Sequence, residues 1–462
     1  MKRVFLAFLL SWCSLADAAP LSLHPENPHY FLYRDQPAVL ITSAEHYGAV
    51  LNLDFDYVKY LDTLAADGLN LTRIFTGAYV EPQGAFEIER NTLAPAPGRF
   101  IAPWARSEVP GYARGGNKFD LDKWDPAYFG RLRDFVEQAG KRGIVVEVAL
   151  FCPMYEKLQW ELSPMNTANN VNGIGNVHEH AVYDFTKNGP LQAIQEVLVR
   201  KIVQELKDAE NLYYEICNEP YFGGVTMDWQ ARIADTIADA EKEFPARHLI
   251  SQNVANGAKR VERAHPGISI FNFHYASPPD AVPMNYHLEK VIGLNETGFQ
   301  GNADDHYRME AWEFILAGGA LYNHLDYSFS VGHEDGTFAY PKTQPGGGNA
   351  GYRKQMRVLA EFIRGFDFLR LKPARELIKG VAKDGRWQLL AEPGRQYAAY
   401  LKYAGDQVHL ELAEGVYRME WLDVVSGKLL AEELVTFGGG SRQLSPPNGK
   451  TEVALRIKAA KP

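Results

Sequence analysis

Cysteine is scarce in this chain: three residues in 462, at positions 13, 152 and 217. So few thiols exclude a disulfide framework as the source of stability. Long apolar runs are also missing. Beyond the first residues no segment offers the roughly 18 uninterrupted apolar side chains that a membrane span needs. An excess of positive charge is absent as well, since the net charge is −9, and that argues against a nucleic-acid partner, which a basic face would attract. What is present is ordinary globular chemistry, 46% hydrophobic and 23% charged, which excludes wholesale disorder. Aromatic residues make up 12%, enough for a large core or for surfaces that stack on flat-faced ligands such as sugars.

The first 18 residues have the order of a secretory signal: basic Met1-Lys2-Arg3, an apolar Val4 to Leu15, and the small-x-small site Ala16-Asp17-Ala18. The expected mature chain begins at Ala19 and is secreted or periplasmic. Cys13 leaves with the signal. Cys152 and Cys217 both lie beside strand-like runs, and free thiols are preferred over a bridge because cysteine is among the most buried residue types.

Residues 19–371 alternate apolar runs with helix-period segments. The runs are 38–42, 69–75, 144–151, 212–217, 249–253, 268–273, 291–294 and 320–323. Helical stretches are expected over 126–142, 191–209, 229–244, 307–317 and 352–366, with Pro126 and Pro190 suited to first-turn positions. Eight such units predict a (β/α)8 TIM barrel, in preference to an open doubly wound sheet. Three long connections, 77–124, 153–188 and 330–350, each follow the C-terminal end of a strand, where they would wall the functional face of a barrel. Among their many rings are Tyr79, Phe86 and Tyr155. From about residue 372 to 462 the pattern becomes short alternating strands with glycine turns, which predicts a small all-β sandwich.

Two carboxylates stand out. Tyr213-Tyr-Glu-Ile-Cys-Asn-Glu-Pro220 runs a strand into Asn218-Glu219-Pro220, where proline ends the ladder. Val291-Ile-Gly-Leu-Asn-Glu296 ends another strand with Glu296. By count these are strands four and seven, whose C-terminal ends face each other across a barrel. Retaining cleavage of a glycosidic bond needs two carboxyl groups about 5–5.5 Å apart, one as nucleophile and one as acid/base. Arg73 in strand two would need a buried carboxylate partner, and Glu147 and Glu215 lie mid-strand to supply one.

With Asn218-Glu219-Pro220 on strand four and Glu296 on strand seven, the barrel resembles clan A glycoside hydrolases of the cellulase-like family 5 type. The resemblance implies that Glu219 is the acid/base and Glu296 the nucleophile. It implies that Asn218 binds the sugar 2-hydroxyl, and that Arg73 with His274 or Tyr275 orients the nucleophile. Family members often carry His-x-Tyr on strand six, whereas His274 and Tyr275 are adjacent here. Alternation would send the two rings to opposite faces unless a bulge intervenes. The usual strand-eight tryptophan is missing, and Tyr327 is the substitute sugar platform. The C-terminal unit is similar to a β-sandwich type named for collagen binding, and a role as packing partner of the barrel is the preferred reading.

The expected partner is therefore a carbohydrate, with no cofactor and no metal; the oligomeric state is open. His178-Glu-His180 has alternate spacing but no third ligand and reads as a solvated loop. Gly346-Gly-Gly348 lacks the features of a phosphate loop. The alternatives are a non-catalytic carbohydrate-binding or adhesion barrel, which would bind sugars without cleaving them, and a transglycosylase using the same residues. Expression in a secreting host is expected to yield a chain starting at Ala19, which N-terminal sequencing or intact mass measurement checks.

Overall fold

The computed structural model describes residues 19–406 and 408–460; the expected signal segment lies outside them. Eight parallel strands form one sheet: β1 (Leu40–Ala44), β2 (Leu71–Phe75), β3 (Val145–Phe151), β4 (Leu212–Cys217), β5 (Leu249–Asn256), β6 (Ile270–His274), β7 (Val291–Glu296) and β8 (Leu321–Leu325). Their spatial order is β1-β8-β7-β6-β5-β4-β3-β2, so the ends of the sheet are consecutive in sequence. The seam between β1 and β2 is closed by Asn70. Its side chain accepts from Ile41 N at 2.8 Å and donates to Val39 O at 2.9 Å, and Phe75 N donates to Tyr47 O at 3.0 Å. Each of the eight expected runs is a barrel strand, and nearly every strand residue is buried. Burial on both sides explains why the runs read as continuous apolar stretches.

The crossovers carry α1 (Tyr57–Ala66), α2 (Pro126–Lys141), α3 (Leu191–Glu205), α4 (Met227–Ala240), the short α5 (Ala281–Asn285) and α6 (Asp304–Leu316), and α7 (Ala350–Arg364) follows β8. Asp125 caps α2 by accepting from Ala127 N at 2.8 Å, with Pro126 next, where its missing N–H costs nothing. Between β5 and β6 the chain crosses without a helix. The residue 77–124 connection is not all loop: it holds a hairpin, Trp104–Pro110 with Asn117–Trp124.

The segment before β1 is also more ordered than expected. Ser22–His24, Asn27–Tyr33 and Gln36–Ala38 form a three-stranded sheet. Arg34 and Asp35, with φ of 51° and 58°, make the left-handed two-residue turn that matches strand twist. This sheet is tied to the N-terminal ends of barrel strands, through His29 Nδ1 with Lys290 O at 3.2 Å and through Leu21 N with Glu210 O at 2.8 Å. It thus closes the barrel opposite the face that carries the long loops.

The C-terminal part is two antiparallel sheets of six and three strands, so the chain is a TIM barrel followed by a β-sandwich. Gln396–Lys402 is buried on both faces. Period-two alternation sends Tyr397, Ala399 and Leu401 into the sandwich core and Ala398 and Tyr400 against the barrel. There Tyr400 stacks on Trp312 of α6, with ring centres 5.8 Å apart, and Arg308 Nε donates to Glu452 Oε1 at 3.0 Å. Asn70→Ala should destabilise the barrel by about 1–3 kcal/mol, because it leaves two backbone groups of the seam without partners; calorimetry should show a lower unfolding midpoint.

Candidate active site

The ends of β4 and β7 bring Glu219 and Glu296 together. One oxygen of each, with His274 Nδ1 between them, lie within 4.8 Å of one another. His274 Nδ1 stands 3.1 Å from Glu219 Oε1 and 3.3 Å from Glu296 Oε1. One imidazole nitrogen thus lies within reach of both carboxyl groups. Burial lowers the affinity of His274 for its proton, but the two carboxylates outweigh burial and lift its pKa to about 9. Burial also pushes the Glu296 carboxyl up. The charges of His274 and Arg73 and the Tyr275 hydroxyl override it and hold Glu296 well below the usual carboxylate range.

Glu296 is held from four sides. Tyr47 OH donates to Oε2 at 2.7 Å, Arg73 Nη1 to Oε2 at 3.3 Å and Tyr275 OH to Oε1 at 2.5 Å, and His274 completes the set. Arg73 is wholly buried. Besides Glu296 it meets Glu215, Glu147 (3.6 Å) and Asn218 Oδ1 (2.7 Å), and the Tyr47 ring covers its guanidinium at 4.5 Å. The structure thus joins the structural carboxylates and the strand-seven acid on one guanidinium. Burial and the nearby Glu215 push the Glu147 carboxyl well above the usual carboxylate range. Asn272 and Asn295 each donate to both Glu147 and Glu215.

His274 and Tyr275 both reach Glu296, although they are adjacent. The register against β7 shifts between Phe273 and His274, and Tyr275 has φ of 49°. The bulge and the left-handed residue cancel the alternation that would otherwise separate the rings. Asn218 Nδ2 donates to Tyr155 OH at 2.8 Å, and its Oδ1 is taken by Arg73. Glu219 accepts from Tyr155 OH at 2.6 Å and from Tyr221 OH at 3.2 Å.

Tyr327 is a correction. It is 3% exposed and does not line the cleft. The loop after β8 folds back over it: Tyr327 N donates to Gly347 O at 3.0 Å, and a Cβ on Gly346 would come within 2.1 Å of the ring. The exposed rings that line the cleft of about 410 Å³ are instead Phe86, Phe222 and Phe299, 39%, 43% and 38% exposed. Tyr47, Tyr221, Phe222 and Phe299 escaped the sequence reading. Tyr47 and Phe299 follow β1 and β7 by three residues each, so scanning every strand end for rings was the available signal. Sequence pattern marks Tyr155 and Phe86 only as loop aromatics. Cys152, which lines the cleft, and Cys217 are buried free thiols. His178 sits exposed at the start of a short 3-10 turn.

Glu219, His274 and Glu296 are, among the described residues, the one group of three acidic or imidazole side chains whose donor atoms converge closely enough for a cation.

The cellulase (glycosyl hydrolase family 5) model matches residues 57–254. That segment contains Arg73, Asn218 and Glu219 and stops before His274, Tyr275 and Glu296. No curated protein matches the chain. Among solved structures, a Bacteroides vulgatus protein classed provisionally as a glycoside hydrolase superposes with a TM-score of 0.68 at 15% identity, over 97% of this chain and 83% of that one. A family 5 glycoside hydrolase from the same organism gives 0.63 at 14%, over 96% and 93%. The endo-1,4-β-mannanase of Rhizomucor miehei gives 0.50 at 12%, over 75% and 100%. At these identities the structures establish the fold, and the family match supports glycosidase chemistry.

Because the folded pKa of His274 lies above its ordinary 6.5, its contribution to stability is complete below pH 6.5 and is lost as pH rises through about 9. Glu296, lowered, gives way only in strong acid. Between pH 6 and 9.5 the thermal midpoint should fall more in the wild-type chain than in His274→Gln, as scanning fluorimetry can show.

Proposed function

We propose that the chain is a retaining glycoside hydrolase acting on β-linked oligo- or polysaccharides, exported from the cell. The observation that carries this reading is the convergence of Glu219 and Glu296 at the ends of two strands, one oxygen of each lying within 4.8 Å of the other. Such an approach favours direct attack by one carboxylate over the wider spacing an inverting enzyme keeps for a water.

The two acids differ in surroundings as the reaction needs. Glu296, kept ionised, gives an electron pair to the anomeric carbon. The bond from that carbon to the glycosidic oxygen breaks, and the departing oxygen takes the bond's electrons and a proton from Glu219. A glycosyl ester on Glu296 remains. Glu219, now ionised, takes a proton from water; the resulting hydroxide adds to the anomeric carbon, and Glu296 leaves with its electron pair. Two inversions give net retention. Asn218 holds the sugar 2-hydroxyl beside Glu219. Arg73, Tyr47 and Tyr275 keep Glu296 aimed and ionised. Phe86, Phe222 and Phe299 offer apolar faces to sugar rings. The chemistry requires no metal or organic cofactor. The C-terminal sandwich serves as a packing partner for α6.

Glu296→Ala should abolish turnover. Azide should restore cleavage and release a glycosyl azide of inverted configuration, while the wild-type product keeps its configuration by NMR. Full activity in Glu296→Ala, or an inverted wild-type product, contradicts the reading.

A further inference from the structure

Among the described residues, Tyr155 is the side chain whose hydroxyl joins both members of the Asn218-Glu219 pair. It stands on the loop after β3, where its ring packs against Phe86, Tyr79 and Phe222 at centre distances of 5.4, 6.3 and 5.8 Å. Its oxygen accepts from Asn218 Nδ2 at 2.8 Å, and its O–H donates to Glu219 Oε2 at 2.6 Å. Arg73 sets the direction of this chain of bonds. Because Arg73 Nη2 donates to Asn218 Oδ1 at 2.7 Å, the amide turns its N–H groups toward Tyr155. The phenol then has one hydrogen left, and the carboxylate receives it.

The two oxygens of Glu219 are not equivalent. Oε1 faces His274 Nδ1 at 3.1 Å and Tyr221 OH at 3.2 Å. An oxygen already taking a hydrogen from the imidazole Nδ1 is a poor base. A proton carried by Glu219 therefore sits on Oε2, whose one hydrogen-bond partner here is Tyr155. Burial keeps the Tyr155 hydroxyl itself far above its ordinary pKa, so the phenol gives up no proton of its own.

We infer that Tyr155 is a positioning residue for proton transfer, its hydroxyl holding Glu219 Oε2 in place and registering it against Asn218. This rests on the reading of Glu219 as the proton donor. When Oε2 is ionised, the phenol donates to it. When Oε2 carries the proton, the phenol hydrogen turns away and its oxygen still accepts from Asn218. Binding of the sugar 2-hydroxyl at Asn218 and delivery of the proton from Oε2 are thereby coupled through one oxygen atom. A ring that merely packs the loop would not need that atom.

The test compares wild type, Tyr155→Phe and Glu219→Ala on 2,4-dinitrophenyl and phenyl β-glycosides of a sugar that the wild-type chain hydrolyses. Dinitrophenolate leaves without a proton, whereas phenolate needs one, so the ratio of the two kcat/KM values reads proton delivery alone. General acid catalysis contributes about 10²–10⁴-fold. Glu219→Ala should raise the ratio by about that factor, and Tyr155→Phe by about 10-fold or more. A Tyr155→Phe ratio equal to wild type, whether both rates hold or both fall together, overturns the inference while leaving Glu219 in its role. A Glu219→Ala ratio equal to wild type overturns the underlying reading instead.

Discussion

A guanidinium sealed inside the barrel organises the cleft above it. Arg73 on β2 is out of reach of water, so its charge must be met by the protein, and it is met by the carboxyl groups of Glu215, Glu296 and Glu147 around it. Burying a cation unpaired is prohibitive. Breaking a buried pair by removing one partner costs about 3–5 kcal/mol, which makes the arrangement around Arg73 close to all-or-none. Its reach explains the pattern. One nitrogen fixes Glu296, another orients the amide of Asn218, and the Tyr47 ring that covers the guanidinium also donates to Glu296. Fold stability and site geometry therefore share the same contacts.

The cleft is shaped by backbone that departs from regular strand. Tyr47, Phe86, Glu219, Tyr275 and Phe299 all have φ between 33° and 62°, a region that costs side-chain-bearing residues of the order of 1–3 kcal/mol each. Such conformations persist where packing and hydrogen bonds over-determine them. Each of these residues lines the cleft, and three of them contact or supply the acids. Strand ends bring the two carboxylates to one rim, and left-handed residues, Glu219 among them, turn side chains inward that alternation would send elsewhere.

Much of the fold was legible because its physical signals are local. Burial on both faces of a parallel strand leaves uninterrupted Val, Ile and Leu, so the eight runs could be counted, and the acids ending the fourth and seventh followed from that count. The hairpin at 104–124 was illegible because its strands are charged and half exposed. The N-terminal sheet was hidden for a different reason: its left-handed turn is made by Arg34 and Asp35 rather than by glycine or asparagine. Tyr327 misled because ring type and chain position carry no information about what folds over a residue, and here Gly346 covers it.

Residue order alone thus determined the barrel, the acids Glu219 and Glu296 and the buried need of Arg73, since periodicity and charge burial act within a strand or between strands whose order can be counted. The tertiary structure decided the rest: that His274 lies between the acids, that Tyr275 turns inward beside it, that Tyr47 and Tyr155 supply hydrogens to them, and that Phe86, Phe222 and Phe299 form the exposed rings. Those facts depend on a one-residue register shift and on loop paths spanning hundreds of residues of chain. No pattern of neighbours along the sequence encodes them.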